Sequence, residues 1–356
     1  MSDTASEFSE LRKDPLVERW VIIAASRGKR PDQFKEASET KPPGFCPFCG
    51  GNEHTTPPEI WAVRTPGTTP DTAGWDVRVV QNKFPALTIE ADLHRSGIGL
   101  MDRMGGFGAH EVIIETPTHE MDLAVAPLEQ INKVLEAYRQ RVLDLRRDDR
   151  FRHIVVFRNF GAAAGASLSH PHSQLIALPT VPQLVKSLLS SAREHYSRKE
   201  RCIFCDLIEQ ELAIPDRLVL ENQDFLVLSP FAARGPFELQ ILPRRHMHDF
   251  TLMSEHEQWA FADILKQTLM LYRDVLKDPP YNMMLQTAPC AVPRPGHPEY
   301  WGTIQYDYHW HVELMPRLTK QAGFEWATGF YINPVSPELA KAYLRGEIEE
   351  PKAATA

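Results

Sequence analysis

The sequence predicts an α+β fold assembled from two diverged copies of one unit. Three observations predict it. Two Cys-x-x-Cys pairs, Cys46/Cys49 and Cys202/Cys205, stand early in the two halves. A strand-like run follows each pair, at 108–114 before His119 and at 235–241 before His246, and the two align without gaps at the 127-residue offset between those histidines. Each half then closes on a His-x-His, His170-Pro171-His172 and His309-Trp310-His311. One such match is chance; the same order of features twice is a duplication.

Taken in order, each cysteine pair leads to an Asn-containing turn and an apolar stretch, Asn82 to Leu87 and Asn222 to Leu228. The offset that pairs the histidines also pairs Asp122 with Asp249 and Leu123 with Phe250. A helix is predicted next in both halves. Ile131, Val134, Leu135, Tyr138, Val142 and Leu145 recur at helical spacing in the first, and Phe261, Ile264, Leu265, Thr268, Leu269 and Tyr272 in the second. Ser254 and Glu257 form a capping-box pattern at the start of the second helix. Residues 181–200 carry little strand pattern and read as a partly helical linker. The expected division is therefore 1–190 and 191–356, with a frayed tail at 349–356. Trp301, Trp310 and Phe324 read as core.

Composition bounds the function. The 356 residues are 43% hydrophobic, enough for substantial cores and about two domains. Against 39 Lys and Arg stand 47 Asp and Glu, a net charge of -8, which argues against nonspecific nucleic-acid binding. No run approaches the roughly 18 apolar residues of a membrane helix. The polar, acidic residues 1–14 lack the pattern of a signal peptide, so a cytoplasmic protein is expected.

In a reducing compartment, close cysteine pairs are metal ligands or redox dithiols more often than disulfides. Zinc takes four tetrahedral nitrogen or sulfur ligands. The expected sets are Cys46, Cys49, His119 and His170, and Cys202, Cys205, His246 and His309. Four protein ligands leave no open position, so both Zn²⁺ sites are expected to be structural. His248 competes with His246, and His297 with His309. A redox dithiol lacks a βαβ context here, and a nucleic-acid-binding ribbon lacks basic clusters. Cys290 reads as an idle buried thiol.

The densest chemical signal runs from Asn159 to Gln174, after a strand-like run at 153–157. Small residues with Gly161 and Gly165 let the backbone approach a ligand closely, as in loops that hold phosphates on amide groups. Histidines two apart on extended chain face the same way, and Pro171 stiffens the backbone between them. One imidazole can hold metal while the other, His172, faces a pocket. A neutral imidazole attacks phosphorus and forms a phosphoramidate that a second acceptor cleaves. Ser167 and Gln174 are placed to donate hydrogen bonds to the phosphate oxygens. The plainer reading, in which His172 is a further ligand or a satisfied core histidine, is outweighed by the small-residue loop and the flanking polar groups.

These residues resemble a known family. The stretch from Gly161 to Gln174 looks like the signature of galactose-1-phosphate uridylyltransferase, in the histidine-triad superfamily, and the similarity runs from about Asp14 to Tyr343. The resemblance implies two histidine-triad-like halves around a shared antiparallel sheet, in a homodimer with composite active sites. It implies a ping-pong reaction in which His172 takes UMP from UDP-glucose and passes it to galactose-1-phosphate. His170 would then be a zinc ligand, and Gln174 and Ser167 would stabilise the intermediate. Arg27 and Arg30 would contact phosphates, Asn82 and Asn159 the nucleotide, and Glu325 the hexose. Partners are thus a nucleotide sugar and a sugar phosphate. The sequence also departs from that pattern. Cys202/Cys205 stand where the bacterial transferases use a carboxylate and histidines, and the glutamine expected after Glu325 is missing. Both departures, with the run 173–179, look more like the plant branch, an ADP-glucose phosphorylase that moves AMP from ADP-glucose to phosphate. A histidine-triad hydrolase and a zinc-stabilised nucleotide-binding module without turnover are the remaining alternatives. The intact His172, Ser167 and Gln174 disfavour the module, and the long C-terminal half disfavours a minimal hydrolase.

Overall fold

The protein is described from a computed structural model, which covers residues 9–24, 44–292, 296 and 301–348. In chain order the strands and helices are β1 (Glu10–Lys13), β2 (Trp20–Ile23), β3 (Glu59–Arg64), β4 (Trp75–Gln81), β5 (Ser96–Ile98), β6 (Met101–Arg103), β7 (Ala109–Ile114), α1 (Leu128–Leu145), β8 (His153–Phe160) and β9 (His172–Leu178). They continue as α2 (Gln183–Lys199), α3 (Ile203–Ala213), β10 (Leu218–Glu221), β11 (Phe225–Leu228), β12 (Leu239–Pro243), α4 (Glu255–Asp274) and β13 (Tyr281–Gln286). The last are α5 (Ile304–Asp307), β14 (His311–Pro316), α6 (Gly323–Thr328), β15 (Tyr331–Asn333) and α7 (Pro337–Leu344).

Ten strands form one sheet in the order β10-β11-β12-β14-β13-β8-β9-β7-β4-β3, antiparallel at every step. From either outer strand inward, the chain supplies the same sequence of first, second, third, fifth and fourth strands of its half. The two fourth strands, β8 and β13, meet at the centre, with Arg158 opposite Met283 and Asn159 opposite Asn282. The long helix between third and fourth strands, α1 or α4, lies on the sheet, and the two helices pack on each other.

One apolar core underlies both halves. It takes Ile131, Val134 and Tyr138 from α1, Phe261, Ile264 and Leu269 from α4, and alternate residues of the sheet between them. Burying such stripes stabilises by about 25 cal/mol per Å² of apolar surface removed from water. The predicted capping box on α4 is present, Ser254 accepting from the Glu257 N–H and the Glu257 carboxylate accepting from the Ser254 N–H. The predicted linker becomes α2. A small sheet of β1, β2 and β15 joins the chain's beginning to its end, with β15 parallel to β2.

Two expectations are corrected. Asn82 follows its strand, β4, and the stretch after it is irregular with Phe84 exposed, whereas Asn222 precedes its strand, β11. Pro85 lies within the first-half stretch, which touches β7 through the Asn82 N–H on the His110 carbonyl and the Ala86 N–H on the His110 ring. Phe324 is also no core residue: it is 43% exposed on α6, a six-residue helix with no buried side chain, whereas Trp310 is fully buried. Arg27, Arg30, His297 and the tail 349–356 lie outside the described residues.

Candidate active site and metal centres

Two Cys/His clusters form where β9 and β14 begin. Cys46, Cys49, His119 and His170 bring one ligand atom each within 4.8 Å of one another, as do Cys202, Cys205, His246 and His309. The second cluster contains His246 rather than the competing His248. In the first, Cys46 Sγ and Cys49 Sγ each lie 3.6 Å from His170 Nδ1, and Cys49 Sγ lies 3.4 Å from His119 Nδ1. Tetrahedral zinc with bonds of about 2.3 Å to sulfur and about 2.0 Å to nitrogen sets neighbouring S and N about 3.5 Å apart. The donors therefore fit zinc. The tautomer fits too. His170 Nε2 lies 2.8 Å from the Thr116 carbonyl, which only accepts, so Nε2 holds the proton and Nδ1 turns its lone pair to the sulfurs. Burial pushes the His170 imidazole down to about 4, keeping it uncharged as a ligand must be.

The second cluster repeats this arrangement more loosely. His309 Nε2 lies 2.8 Å from the Pro243 carbonyl, and Cys205 Sγ lies 3.4 Å from His246 Nδ1 and 3.8 Å from His309 Nδ1. The Cys202 thiol points to the Asp307 carbonyl at 3.3 Å. The two histidine pairs cross almost identically, at 5.2 Å and 85° in the first and 5.4 Å and 84° in the second.

His172 opens β9, two residues beyond His170. Its Nδ1 donates to the His170 carbonyl at 2.7 Å. That bond fixes the proton on Nδ1 and leaves Nε2 with its lone pair. Among the described residues, Nε2 has no hydrogen-bond partner. The ring is 8% exposed, with Phe48 edge-on at 5.4 Å. Burial lowers its pKa, so the ring is neutral near pH 7. On the helix side of the sheet, Ser173 donates to the buried Glu115 at 2.5 Å, and Glu115 is paired with the buried Arg158. Arg158 also bonds Asp122 and the Tyr281 hydroxyl. This network anchors the strand beneath His172. No sequence pattern announced it, because its members lie 36 to 123 residues apart.

Beside His172 on the open face, Gln174 Oε1 lies 2.8 Å from His110 Nε2, and Asn82 Nδ2 lies 3.1 Å from the same nitrogen. Asn159, at the end of β8, accepts from Asn282 of β13 at 2.7 Å. Asn282 also holds the Ala164 carbonyl at 2.8 Å and accepts from Arg317 at 2.5 Å. The small-residue loop at 161–166 is therefore tied down by the other half of the chain. Gly161 (φ 79°) and Gly165 (φ 92°) take left-handed backbone there.

Family models for galactose-1-phosphate uridyl transferase match both parts of the chain, the N-terminal domain over 2–182 and the C-terminal domain over 189–332. The chain belongs to this family. As such it is a nucleotidyltransferase. It is 37% identical over 345 residues to the ADP-glucose phosphorylase of Arabidopsis thaliana, covering 96% of this chain and 93% of the relative. It is 34% identical over 346 residues to the galactose-1-phosphate uridylyltransferase of Thermotoga maritima, covering 94% and 98%. The crystal structure of an Arabidopsis thaliana ADP-glucose phosphorylase with bound ADP-glucose superposes with a TM-score of 0.80 at 34% identity, over 96% of this chain and 99% of that one.

Within this transferase, the expected residues fall into three groups. His172, Gln174, Asn82, Asn159 and Gly165 lie around the start of β9. Ser167 is exposed, with no hydrogen bond among the described residues. Glu325 sits on α6, where its carboxylate accepts the Ala322 N–H at 2.9 Å, and no described contact joins it to His172. The second half of the transferase holds a cavity of about 230 Å³ at the position corresponding to His172. His311 lines it, with Nδ1 3.1 Å from the His309 carbonyl and Nε2 buried without a hydrogen bond, 3.9 Å from Glu313 Oε1. Glu313, not glutamine, stands two residues on, paired with Arg234 at 3.0 Å.

Proposed function

We propose that His172 carries the nucleotidyl group in two displacements at phosphorus. The carrying observation is the hydrogen bond from Nδ1 to the His170 carbonyl, which leaves the Nε2 lone pair free. Nε2 attacks the α-phosphorus of a nucleotide sugar. The bond from that phosphorus to the bridging oxygen breaks, and the sugar phosphate leaves with the electron pair. An acceptor phosphate oxygen then attacks the same phosphorus, and the P–N pair returns to Nε2. The Gln174 amide and Ser167 stabilise the phosphoryl oxygens as charge shifts, while the N–H groups of Ala164, Gly165 and Ala166 hold the loop together by bonding the Gly161 and Ala162 carbonyls. Asn82 and Asn159 face the nucleotide. Arg27 and Arg30 are assigned the phosphates, and Glu325 the hexose, from family resemblance alone.

Cys46, Cys49, His119 and His170 would hold one zinc, and Cys202, Cys205, His246 and His309 a second. Filled with four protein ligands, each supplies a rigid cross-link rather than a Lewis acid. The first holds the chain two residues before His172.

For the substrates, we read AMP transfer from ADP-glucose to phosphate first. It is supported by the 37% identical phosphorylase, by the ADP-glucose-bound structure and by the missing glutamine after Glu325. UMP exchange between UDP-glucose and galactose-1-phosphate, the reaction the signature implies, is the second reading, supported by the Thermotoga maritima relative. We further propose that 1–190 and 191–356 are diverged histidine-triad-like halves. The matched strand orders and the two crossed histidine pairs support this. A homodimer is also proposed. It is supported by the exposed apolar tip of the β5–β6 hairpin, Ile98, Leu100 and Met101, and by Trp326.

The test is label transfer. Protein incubated with ADP-glucose or UDP-glucose carrying ³²P at the α-phosphorus should retain acid-labile label, released by phosphate or by galactose-1-phosphate respectively. His172→Gly should retain none. Absence of label from both donors on the wild type rejects the covalent route.

A further inference from the structure

We propose that His110 is a positioning residue that decides which end of the Gln174 amide faces the bound phosphate; this rests on the covalent route through His172. The register of β7 on β9 pairs Ile114 with His172 and Val112 with Gln174. Cross-strand partners share a face, as do residues two apart on a strand. His110, Gln174 and His172 therefore project from the same side of the sheet.

The ring of His110 has a fixed tautomer. The backbone N–H of Ala86 points at its Nδ1 from 3.2 Å. An amide N–H only donates, so Nδ1 holds the lone pair and the proton is on Nε2. That proton is directed at Gln174 Oε1, 2.8 Å away. The carbonyl end of Gln174 is thereby occupied, and its NH₂ end is turned to the open side beside His172. The NH₂ of Asn82, 3.1 Å from the same Nε2, finds no lone pair there and keeps its hydrogens for a ligand. Asn82 is itself oriented, since its Oδ1 accepts the Phe84 N–H at 2.9 Å.

The consequence is electrostatic. An amide NH₂ donates to a phosphoryl oxygen, and an amide carbonyl repels it. The two ends of a free glutamine interchange by rotation about one bond. With His110 in place only the donating end is offered. Its loss leaves both orientations open to Gln174, which costs about twofold in rate where the two are equal and more where the carbonyl end is favoured. His110 needs no contact with substrate to have this effect.

The test measures single-turnover transfer of labelled AMP or UMP onto His172 in the intact, zinc-loaded enzyme. His110→Phe should slow transfer about twofold or more, and His110→Gln, which keeps a donor, should recover part of the loss. In a Gln174→Ala background, His110→Phe should cost nothing further. An equal loss in both backgrounds would mark His110 as merely structural and overturn the proposal. So would wild-type rates in His110→Phe. No label on the wild type overturns the underlying reading as well, which separates the two failures. A readout free of variants is ¹⁵N NMR of histidine-labelled wild type. His110 should be the Nε2–H tautomer, and the Nδ1–H form would refute the proposal.

Discussion

At the residue scale, buried imidazoles do different work according to what each nitrogen meets. His170 and His309 spend Nε2 on a carbonyl and turn Nδ1 to sulfur; His172 and His311 spend Nδ1 and leave Nε2 open. His153 is a third kind. It is 1% exposed, its Nδ1 has no partner, and burial with the nearby Arg146 pushes it down to about 4. The unfolded chain takes up that proton near pH 6.5 and the folded chain only near 4. Between those values the unfolded state binds more protons, so stability is complete above about pH 6.5 and falls as the pH drops toward 4. Each such site contributes at most about 1.4 kcal/mol per pH unit. Urea denaturation at pH 7, 6 and 5 should show the wild type losing stability on acidification more steeply than His153→Leu. Identical slopes would mean that His153 takes up its proton alike in the folded and unfolded chain.

At the element scale, the loop between β8 and β9 is the most sensitive piece of backbone. A Cβ at Gly161 would lie 2.9 Å from the Cβ of Pro280, and the residue already has φ 79°. Gly161→Ala should therefore strain the loop by about 1–3 kcal/mol and shift the Gly161 carbonyl that accepts from Ala164 and Ala166. Label transfer should fall more than thermal stability does, and equal transfer at equal stability would deny the loop its part. Much of this element-level structure was legible in the sequence. The helical stripes gave α1 and α4, and Ser254 with Glu257 gave a helix start. What periodicity does not encode is which strand lies beside which. Nothing local predicted that β8 would pair with β13, so the support of Asn159 and Ala164 by Asn282 was invisible. His110 was read only as strand, because its partner Gln174 lies 64 residues away. Phe324 misled because a single aromatic on a short surface helix has the same hydrophobicity as one in a core.

At the scale of the whole molecule, the two halves are alike in frame and unlike in charge. The cavity at His311 presents the carboxylate of Glu313, held by Arg234, where the first half offers the Gln174 amide, so an acceptor-only group stands in place of a donor to phosphate. One label per chain is therefore expected, and peptide mapping should find it on His172 with none on His311. Metal analysis of protein purified without chelator should find about two zinc per chain, and stripping them should lower the melting temperature, since closed four-ligand sites couple binding to folding. A value of one would first discount the looser cluster, where the Cys202 thiol is turned to a carbonyl. The pairing of β8 with β13 has a last consequence. Over Val156–Phe160 and Tyr281–Leu285 the two strands pair with each other inside a single chain, so the molecule hides what would otherwise be two open sheet edges. A gene cut between the halves would uncover them, and each fragment would be left to zip onto its own copies or onto the other fragment. Fusion in one polypeptide makes the right partner the one that is always nearest.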